Sequence, residues 1–195
     1  MKYTILLDSS NTSLTVGVAD EEKLIDSISY EAWQCQSEHM IPSLDELLVK
    51  FNITYQDIKD VVVAIGPGSY TGVRIALTIA KTIALATNCI VYPVSSLRIQ
   101  KSQQKPSICV INARSGRSYF GVYQGEKILE EDQILTNDLV LQYINNHPDY
   151  VVCGHAEYLA KEGYMTNLAE EMFSLKPFLT KSENPLLIKP VYMKD

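Results

Sequence analysis

The sequence predicts an α/β protein built from two related halves, of which the second is reduced. Three features support this prediction: an opening series of strand patterns, a long stretch of helical periodicity, and a second series of strand patterns after residue 106. With 195 residues, of which 46% are hydrophobic and 21% charged, the chain can bury a substantial core. We therefore expect one large folded domain or two small ones.

The first half is predicted as an antiparallel meander followed by helices that alternate with strands. Leu14, Val16 and Val18 alternate with small or polar residues, as in a half-buried strand. The β-branched run at 61–65 is typical of a central strand covered on both faces. The predicted strands are 3–7, 14–19, 24–30, 61–65 and 90–94, and the predicted helices are 37–51 and 73–87, with a short helix from Ser95.

The second half repeats the pattern of the first. When Asn112 is aligned with Asp8, Gly121 falls on Gly17 without a gap, which indicates an internal duplication. A helix at 137–145, a strand at 150–153 and a helix at 156–163 are expected to follow. The polar segment 102–106 is the best candidate for a boundary. We predict a first domain at 1–101 and a smaller second domain at 102–184, with residues 185–195 able to pack back onto the first.

Two such halves, each with a polar turn after its first strand, form the architecture of the actin/Hsp70/sugar-kinase superfamily. In that fold the two turns hold nucleotide phosphates from opposite sides, and the opening Asp acts through a metal ion that prefers oxygen ligands. Asp8, Ser9 and Ser10 are therefore candidates for a turn that faces phosphate or metal. The alternative is that the polar side chain only caps a hairpin turn. Asn112 offers no charged oxygen in the second turn, which weakens the first interpretation.

The segment 66–75, GPGSYTGVRI, is the strongest local feature. A glycine-rich turn from strand to helix can present backbone N–H groups to an anion, and the candidate residues are Gly66, Gly68, Ser69 and Thr71. The segment lacks the Gly-Lys-Ser/Thr of a P-loop, and its glycine spacing is not that of a dinucleotide-binding turn. On physical grounds we favour the alternative, a tight turn that lets helix and sheet pack closely.

Two predicted helices carry a candidate partner interface. Small residues recur every fourth position in the second helix, and such a smooth stripe admits a neighbouring helix at close range. The alternative is that the neighbour belongs to this same chain and is the helix predicted at 37–51. Both hold together if two helices from each of two subunits form a bundle. The candidate interface residues are Met40, Ile41, Leu44, Leu48, Gly72, Ala76, Ala80 and Ala84.

Composition argues against several classes of function. A net charge of −6 gives no electrostatic footprint for direct binding of nucleic acid. The sequence has no HxxxH or HExxH pattern, so no metal site is predicted, and the four dispersed cysteines are typical of reduced cytosolic thiols. Ser69, His39 and Cys35 lack the context of a hydrolase triad. Without a signal peptide or a membrane span, we expect a cytoplasmic protein.

The segment GPGSYTGVRI resembles the signature of the TsaB (YeaZ) family of tRNA threonylcarbamoyladenosine synthesis. The opening strand and turn, the start of the first helix, the segment 94–97, the second meander at 112–119 and the ending at 190–194 are similar to the family over nearly the whole chain. Three departures are Gln36 where the family often has His, Asn112 where it often has Asp, and Met193-Lys194 where Leu-Arg is more usual.

The resemblance implies a non-catalytic scaffold or activator rather than an enzyme. Its expected partner is a TsaD-like paralogue, which transfers threonylcarbamoyl to the adenosine beside the anticodon. A TsaE-like ATPase, a homodimer when the chain is alone, and only indirect contact with tRNA are also implied. The chain itself requires no cofactor, although ATP or ADP can lie at an interface of the complex. The alternatives are a nucleotide-dependent phosphotransferase or ATPase of the same fold and, less favoured, a glycoprotease-like peptidase.

Overall fold

The computed structural model describes residues 2–193. Outside the described residues lie Met1, Lys194 and Asp195, which belong to the predicted domain limits and to the C-terminal motif. Within that range the chain forms two β-sheets with helices. The strands are β1 (Tyr3–Asp8), β2 (Ser13–Ala19), β3 (Leu24–Glu31), β4 (Ile58–Ala64), β5 (Ile90–Val94), β6 (Ser107–Arg114), β7 (Arg117–Gln124), β8 (Lys127–Thr136) and β9 (Val151–Cys153). The α-helices are α1 (Gln36–Lys50), α2 (Tyr70–Thr87), α3 (Asn137–Asn146) and α4 (Leu168–Leu175).

Strand order confirms that the two halves are related. The first sheet has the order β3-β2-β1-β4-β5 and the second has β8-β7-β6-β9. In each half the first strand pairs antiparallel with the second and parallel with the fourth. In the second sheet no described strand corresponds to β5, and the fourth strand is only three residues long, which is the predicted reduction.

The first sheet is covered on both faces, as the apolar run in β4 predicts. Ile5 and Val63 point to the face that α1 and α2 cover, because their cluster includes Met40 and Ala80. Alternate residues of the same strands, such as Leu6, point to the opposite face and pack with Met172 of α4. The central strands therefore bury side chains on both sides and are almost fully inaccessible to solvent.

Helix α4 departs from the predicted domain limits. It lies within the predicted second domain, 102–184, yet its buried residues Ala169, Met172 and Leu175 pack on the first sheet. The chain thus returns to its first half after completing the second sheet. The physical reason is that one face of the first sheet, represented by Leu6 and Val62, would otherwise expose apolar surface to water.

The predicted helix at 156–163 is wrong. Only a short 3-10 turn forms at Glu157–Leu159, because Ala160 adopts a left-handed backbone with φ of 53°. Gly163 then lies so close to the Gly154 carbonyl that an added Cβ would be 1.8 Å from its oxygen. This segment is a loop that crosses the end of β9, and the helix forms later, at α4.

Candidate functional site

The two first-strand turns share one hydrogen-bonding pattern. The Ser10 N–H donates to the Asp8 Oδ1 at 2.9 Å, and the Arg114 N–H donates to the Asn112 Oδ1 at 2.8 Å. Each side chain therefore closes its own turn by bonding two residues ahead. An amide performs this task as well as a carboxylate, so the charge of Asp8 is not needed to shape the turn.

Asp8 lies at the wall of a cavity between the two halves. Its side chain is 2% exposed, and burial raises the pKa of the carboxyl group, although hydrogen bonds from Ser10 oppose the shift. The cavity has a volume of about 80 Å³ and also contacts Gln100, His155 and Tyr164. A buried carboxyl beside a small cavity with mixed polar and apolar lining can hold a few water molecules or a small polar group.

The glycine-rich segment is seated directly on the turn after β1. The Ser69 N–H donates to the Ser10 carbonyl at 2.6 Å, and the Ser9 hydroxyl donates to the Gly72 carbonyl at 2.7 Å. A Cβ at Gly68 would lie 2.2 Å from the Ser10 oxygen, and one at Gly72 would lie 1.9 Å from the Ser9 oxygen. Both glycines are thus required by close approach of backbones, as the packing interpretation predicts.

Backbone donors of this segment already have partners within the chain. The Gly66 N–H donates to the Ser96 hydroxyl at 3.0 Å, and the Gly72 N–H donates to the Ser69 hydroxyl at 3.2 Å, which caps α2. Together with the engaged N–H of Ser69, three donors that an anion would use are committed to the fold. An anion at Gly66, Gly68, Ser69 and Thr71 therefore stays a prediction.

The candidate ligand residues divide between two spaces. Gly68, Ser69 and Thr71 line an open cleft of about 570 Å³, which they share with Asn112 and Arg114 of the second turn. Asp8 and Ser10 line the separate cavity described above. Ser9 and Gly66 are buried and line neither space. The structure thus brings the glycine-rich segment close to the second turn but does not unite it with the Asp8 carboxylate.

The predicted partner interface needs correction. Seven of its eight residues are buried within the chain: Met40, Leu44, Leu48, Gly72, Ala76, Ala80 and Ala84. The stripe of small residues faces β1 and β4, where short side chains let α2 approach the sheet closely. Ile41, at 39% exposure, is the one predicted residue that remains at the surface. The alternative stated for the stripe is right that the neighbour lies within the same chain, but that neighbour is mainly the sheet rather than the helix predicted at 37–51.

A different face of the two helices is open. The α1–α2 groove has a volume of about 440 Å³ and is defined here by Ser37, Ile41, Tyr70, Thr71, Arg74, Ile75, Thr78 and Ile79. Its floor and walls are mainly apolar, with Arg74 as a formal cation. Sequence reasoning missed Tyr70, Arg74 and Ile79. Tyr70, Arg74 and Thr78 recur every fourth position, as do Thr71, Ile75 and Ile79, and both rows lie on the side of α2 away from the small-residue stripe. That second periodicity was the available signal.

Other buried polar groups join the halves rather than form a centre for chemistry. Lys101 and Glu171 form a buried ion pair at 2.6 Å between the segment after β5 and α4. Asp132 accepts hydrogen bonds from Ser95 at 2.5 Å and from Tyr123, and burial raises the pKa of this carboxyl group. Residues 2–193 contain no group of three His, Cys, Asp or Glu placed to hold a metal ion. Over the same residues, no helix combines the length and the apolar character needed to cross a membrane.

Comparison with known proteins places these features in a family. Residues 30–178 match the family model described as TsaD, tRNA N6-adenosine threonylcarbamoyltransferase. The "tRNA threonylcarbamoyladenosine biosynthesis protein TsaB" of Bacillus subtilis is 29% identical over 186 residues, covering 90% of this chain and 79% of that protein. The protein of the same name from Buchnera aphidicola subsp. Schizaphis graminum is 30% identical over 128 residues, covering 61% and 59%.

A solved structure agrees with the fold. YeaZ from Pseudomonas aeruginosa superposes with a TM-score of 0.82 at 21% identity and covers 99% of this chain and 100% of that one. The match extends through both halves and, together with the family-model match, confirms the predicted actin/Hsp70/sugar-kinase type of architecture. Because the family model spans most of the chain and these two relatives carry the same name, the chain belongs to the TsaD family of threonylcarbamoyltransferase-like proteins and, within it, to the TsaB (YeaZ) proteins.

Proposed function

We propose that this chain is a non-catalytic subunit that docks onto a TsaD-type transferase and supports formation of threonylcarbamoyladenosine in tRNA. The observation that carries the proposal is the match to relatives named as tRNA threonylcarbamoyladenosine biosynthesis proteins. The net charge of −6 fits a subunit that contacts tRNA only through its partner. A TsaE-like ATPase, ATP or ADP at an interface of the complex, and a cytoplasmic homodimer when the partner is absent belong to the same proposal.

The α1–α2 groove is the surface we assign to the partner. Ile41 and Tyr70 of the groove are exposed in the isolated chain, and an apolar patch framed by polar groups is typical of a protein–protein contact. A paralogue of the same fold carries the equivalent pair of helices, so the two chains can meet about a pseudo-twofold axis. The same groove would be used in the homodimer, and the two assemblies would then compete.

Reconstitution with the organism's own TsaD-type protein tests the proposal. Modified adenosine in tRNA would be measured by mass spectrometry with the wild-type chain, without it, and with Ile41→Asp, which places a charge at the exposed rim of the groove. We expect modification to need the chain and to fall at least about tenfold with Ile41→Asp, since a charge left unpaired in a buried contact costs several kcal/mol. Val49→Asp is the matched control, because Val49 is 77% exposed on the same helix, α1, but outside the groove. Full modification without the chain would contradict the proposal.

A nucleotide-dependent phosphotransferase is the second candidate. The observation that favours it is the cavity between the halves with the buried Asp8 carboxyl at its wall. ATP turnover by the purified chain, compared with Asp8→Asn, distinguishes the two candidates. The main proposal predicts turnover at the level of buffer for both proteins, whereas turnover that persists through repurification and disappears in Asp8→Asn would favour the phosphotransferase.

A further inference from the structure

The last described residues of the chain form a strap along α2. The C-terminal strap is defined here as residues 185–193. Lys81 Nζ donates to the carbonyls of Leu186 and Ile188, at 3.0 and 2.7 Å. The Ile188 side chain packs on the core between the first sheet and helices α1 and α2. The Val191 N–H donates to the Ile65 carbonyl at 2.7 Å, just before the glycine-rich segment. Backbone and side-chain contacts therefore hold the strap at several points.

The strap ends at one wall of the α1–α2 groove. The Tyr192 ring stacks on Tyr70 with centroids 5.0 Å apart, and the Arg74 Nε–H donates to the Tyr192 hydroxyl at 2.6 Å. The Arg74 guanidinium lies 3.8 Å from the Tyr70 centroid and 5.6 Å from that of Tyr192. Cation–π contact and stacking thus fix a cation and two rings in one arrangement. Since Tyr70 and Arg74 line the groove, the strap sets the position of that wall.

Arg74 retains binding capacity in this position. A guanidinium carries five N–H donors, and the Nε–H is directed to Tyr192. Among residues 2–193, no carboxylate lies within ion-pair distance of Arg74. An exposed arginine whose orientation is already fixed loses little conformational freedom when it binds a carboxylate.

We infer that the C-terminal strap is part of the docking surface for the TsaD-type partner, and that Arg74 and Tyr192 are the positioning residues that hold it there. The inference rests on the proposed function. The partner presents an acidic side chain to Arg74, because charge complementarity selects a carboxylate at a positioned, unpaired guanidinium. Tyrosine and arginine in a fixed arrangement are also the residue types that contribute most at protein interfaces.

The experiment compares four variants of the full chain. Tyr192→Ala removes the ring, Tyr192→Phe keeps the ring without its hydroxyl, and Arg74→Lys keeps the charge without the planar group. Phe178→Ala is the matched control, because Phe178 is an exposed aromatic residue that lies outside the groove and the strap. Affinity for the TsaD-type partner would be measured by calorimetry. Release of residues from the C-terminus by a carboxypeptidase, followed by mass spectrometry, reports separately whether the strap is held.

We expect Tyr192→Ala and Arg74→Lys to weaken binding about tenfold or more and to speed trimming of the strap. Tyr192→Phe should stay within about threefold of wild type, because it keeps the stacking contact, and Phe178→Ala should match wild type in both measurements. Melting temperatures establish that each variant is folded. If Tyr192→Ala does not fold, the inference is tested by the other two variants: Arg74→Lys should weaken binding about tenfold or more, and Tyr192→Phe should stay within about threefold of wild type.

Two results would overturn the inference while leaving the proposed function intact. One is a Tyr192→Ala chain that is trimmed faster but binds the partner as tightly as wild type does. The other is trimming that does not change in either Tyr192→Ala or Arg74→Lys. A wild-type chain that does not bind the TsaD-type partner at all would remove the proposed function and this inference together.

Discussion

Replacement of Gly72 by alanine tests how closely the glycine-rich segment approaches the first turn. A Cβ at this position would lie 1.9 Å from the Ser9 carbonyl oxygen, well inside van der Waals contact. Backbone cannot yield as the end of a flexible side chain can, so the start of α2 must move away from β1. That movement also stretches the hydrogen bond from the Ser9 hydroxyl to the Gly72 carbonyl.

Opposing effects determine how much Gly72→Ala changes the free energy of unfolding. Alanine in place of glycine favours a helix by at most about 1 kcal/mol. Overpacking of a tight site costs about 1–3 kcal/mol, and a buried hydroxyl left without its partner costs a further ~1–3 kcal/mol. We therefore expect Gly72→Ala to lower the free energy of unfolding by about 2–4 kcal/mol, which lowers the melting temperature of a chain of this size by roughly 5–15 °C.

Thermal and urea unfolding followed by circular dichroism would measure the change. Gly116→Asn is the control, because Gly116 has a left-handed backbone with φ of 72° and no atom within 4 Å of an added Cβ. Asparagine tolerates that conformation, so this variant should stay within about 1 kcal/mol of wild type. A Gly72→Ala chain as stable as wild type would refute the close approach of helix and turn.

Three further outcomes are expected. Ala80→Arg should abolish cooperative unfolding rather than only dissociate an oligomer, because Ala80 is fully buried against the sheet; a folded variant by circular dichroism would contradict this placement. Asp8→Asn should raise the free energy of unfolding at pH 7. Burial raises the pKa of the Asp8 carboxyl group above its ordinary value of 3.8, so the native state binds the proton more tightly than the unfolded state does. The stability of the wild-type chain therefore falls as the pH rises from 3.8 through the native pKa. Urea titrations across pH should show that fall reduced in the variant. Cys35 should react first with Ellman's reagent and the buried Cys89 slowly, and Cys35→Ser should remove the fast phase.

Hydrophobic periodicity was enough to predict most of the architecture. The apolar runs of β1, β4 and β6 match strands that are mostly buried. The alternation in β2 predicted a half-buried strand, but β2 is buried on both faces because α1 and α4 both contact it. The turn residues agreed as well, since Asp8 and Asn112 occupy equivalent positions. These features are local, so a single sequence contains the information that specifies them.

Tertiary contacts explain the parts that the sequence did not predict. The stripe of Ala76, Ala80 and Ala84 specifies a face of α2 that approaches something closely, but it does not say whether that neighbour is a sheet of the same chain or a second helix. Helix α4 has only eight residues, and the local signals for its start were the capping residue Asn167 and the acidic first turn with Glu170 and Glu171. Asp8 and Thr71 line two different spaces. Which space each residue lines depends on how the two halves pack together, and no local sequence pattern contains that information.

The return of α4 to the first sheet has a consequence for synthesis on the ribosome. While residues 1–167 emerge, the face of the first sheet that contains Leu6 and Val62 lacks most of its cover, because Met172 and Leu175 are not yet made and, of the covering residues in the same cluster, only Ile99 is present. We therefore expect the nascent chain to expose an apolar sheet surface until nearly the whole protein has been synthesised, and to be prone to aggregation during that time. A fragment that ends before α4 should be insoluble even though it contains every strand of both sheets.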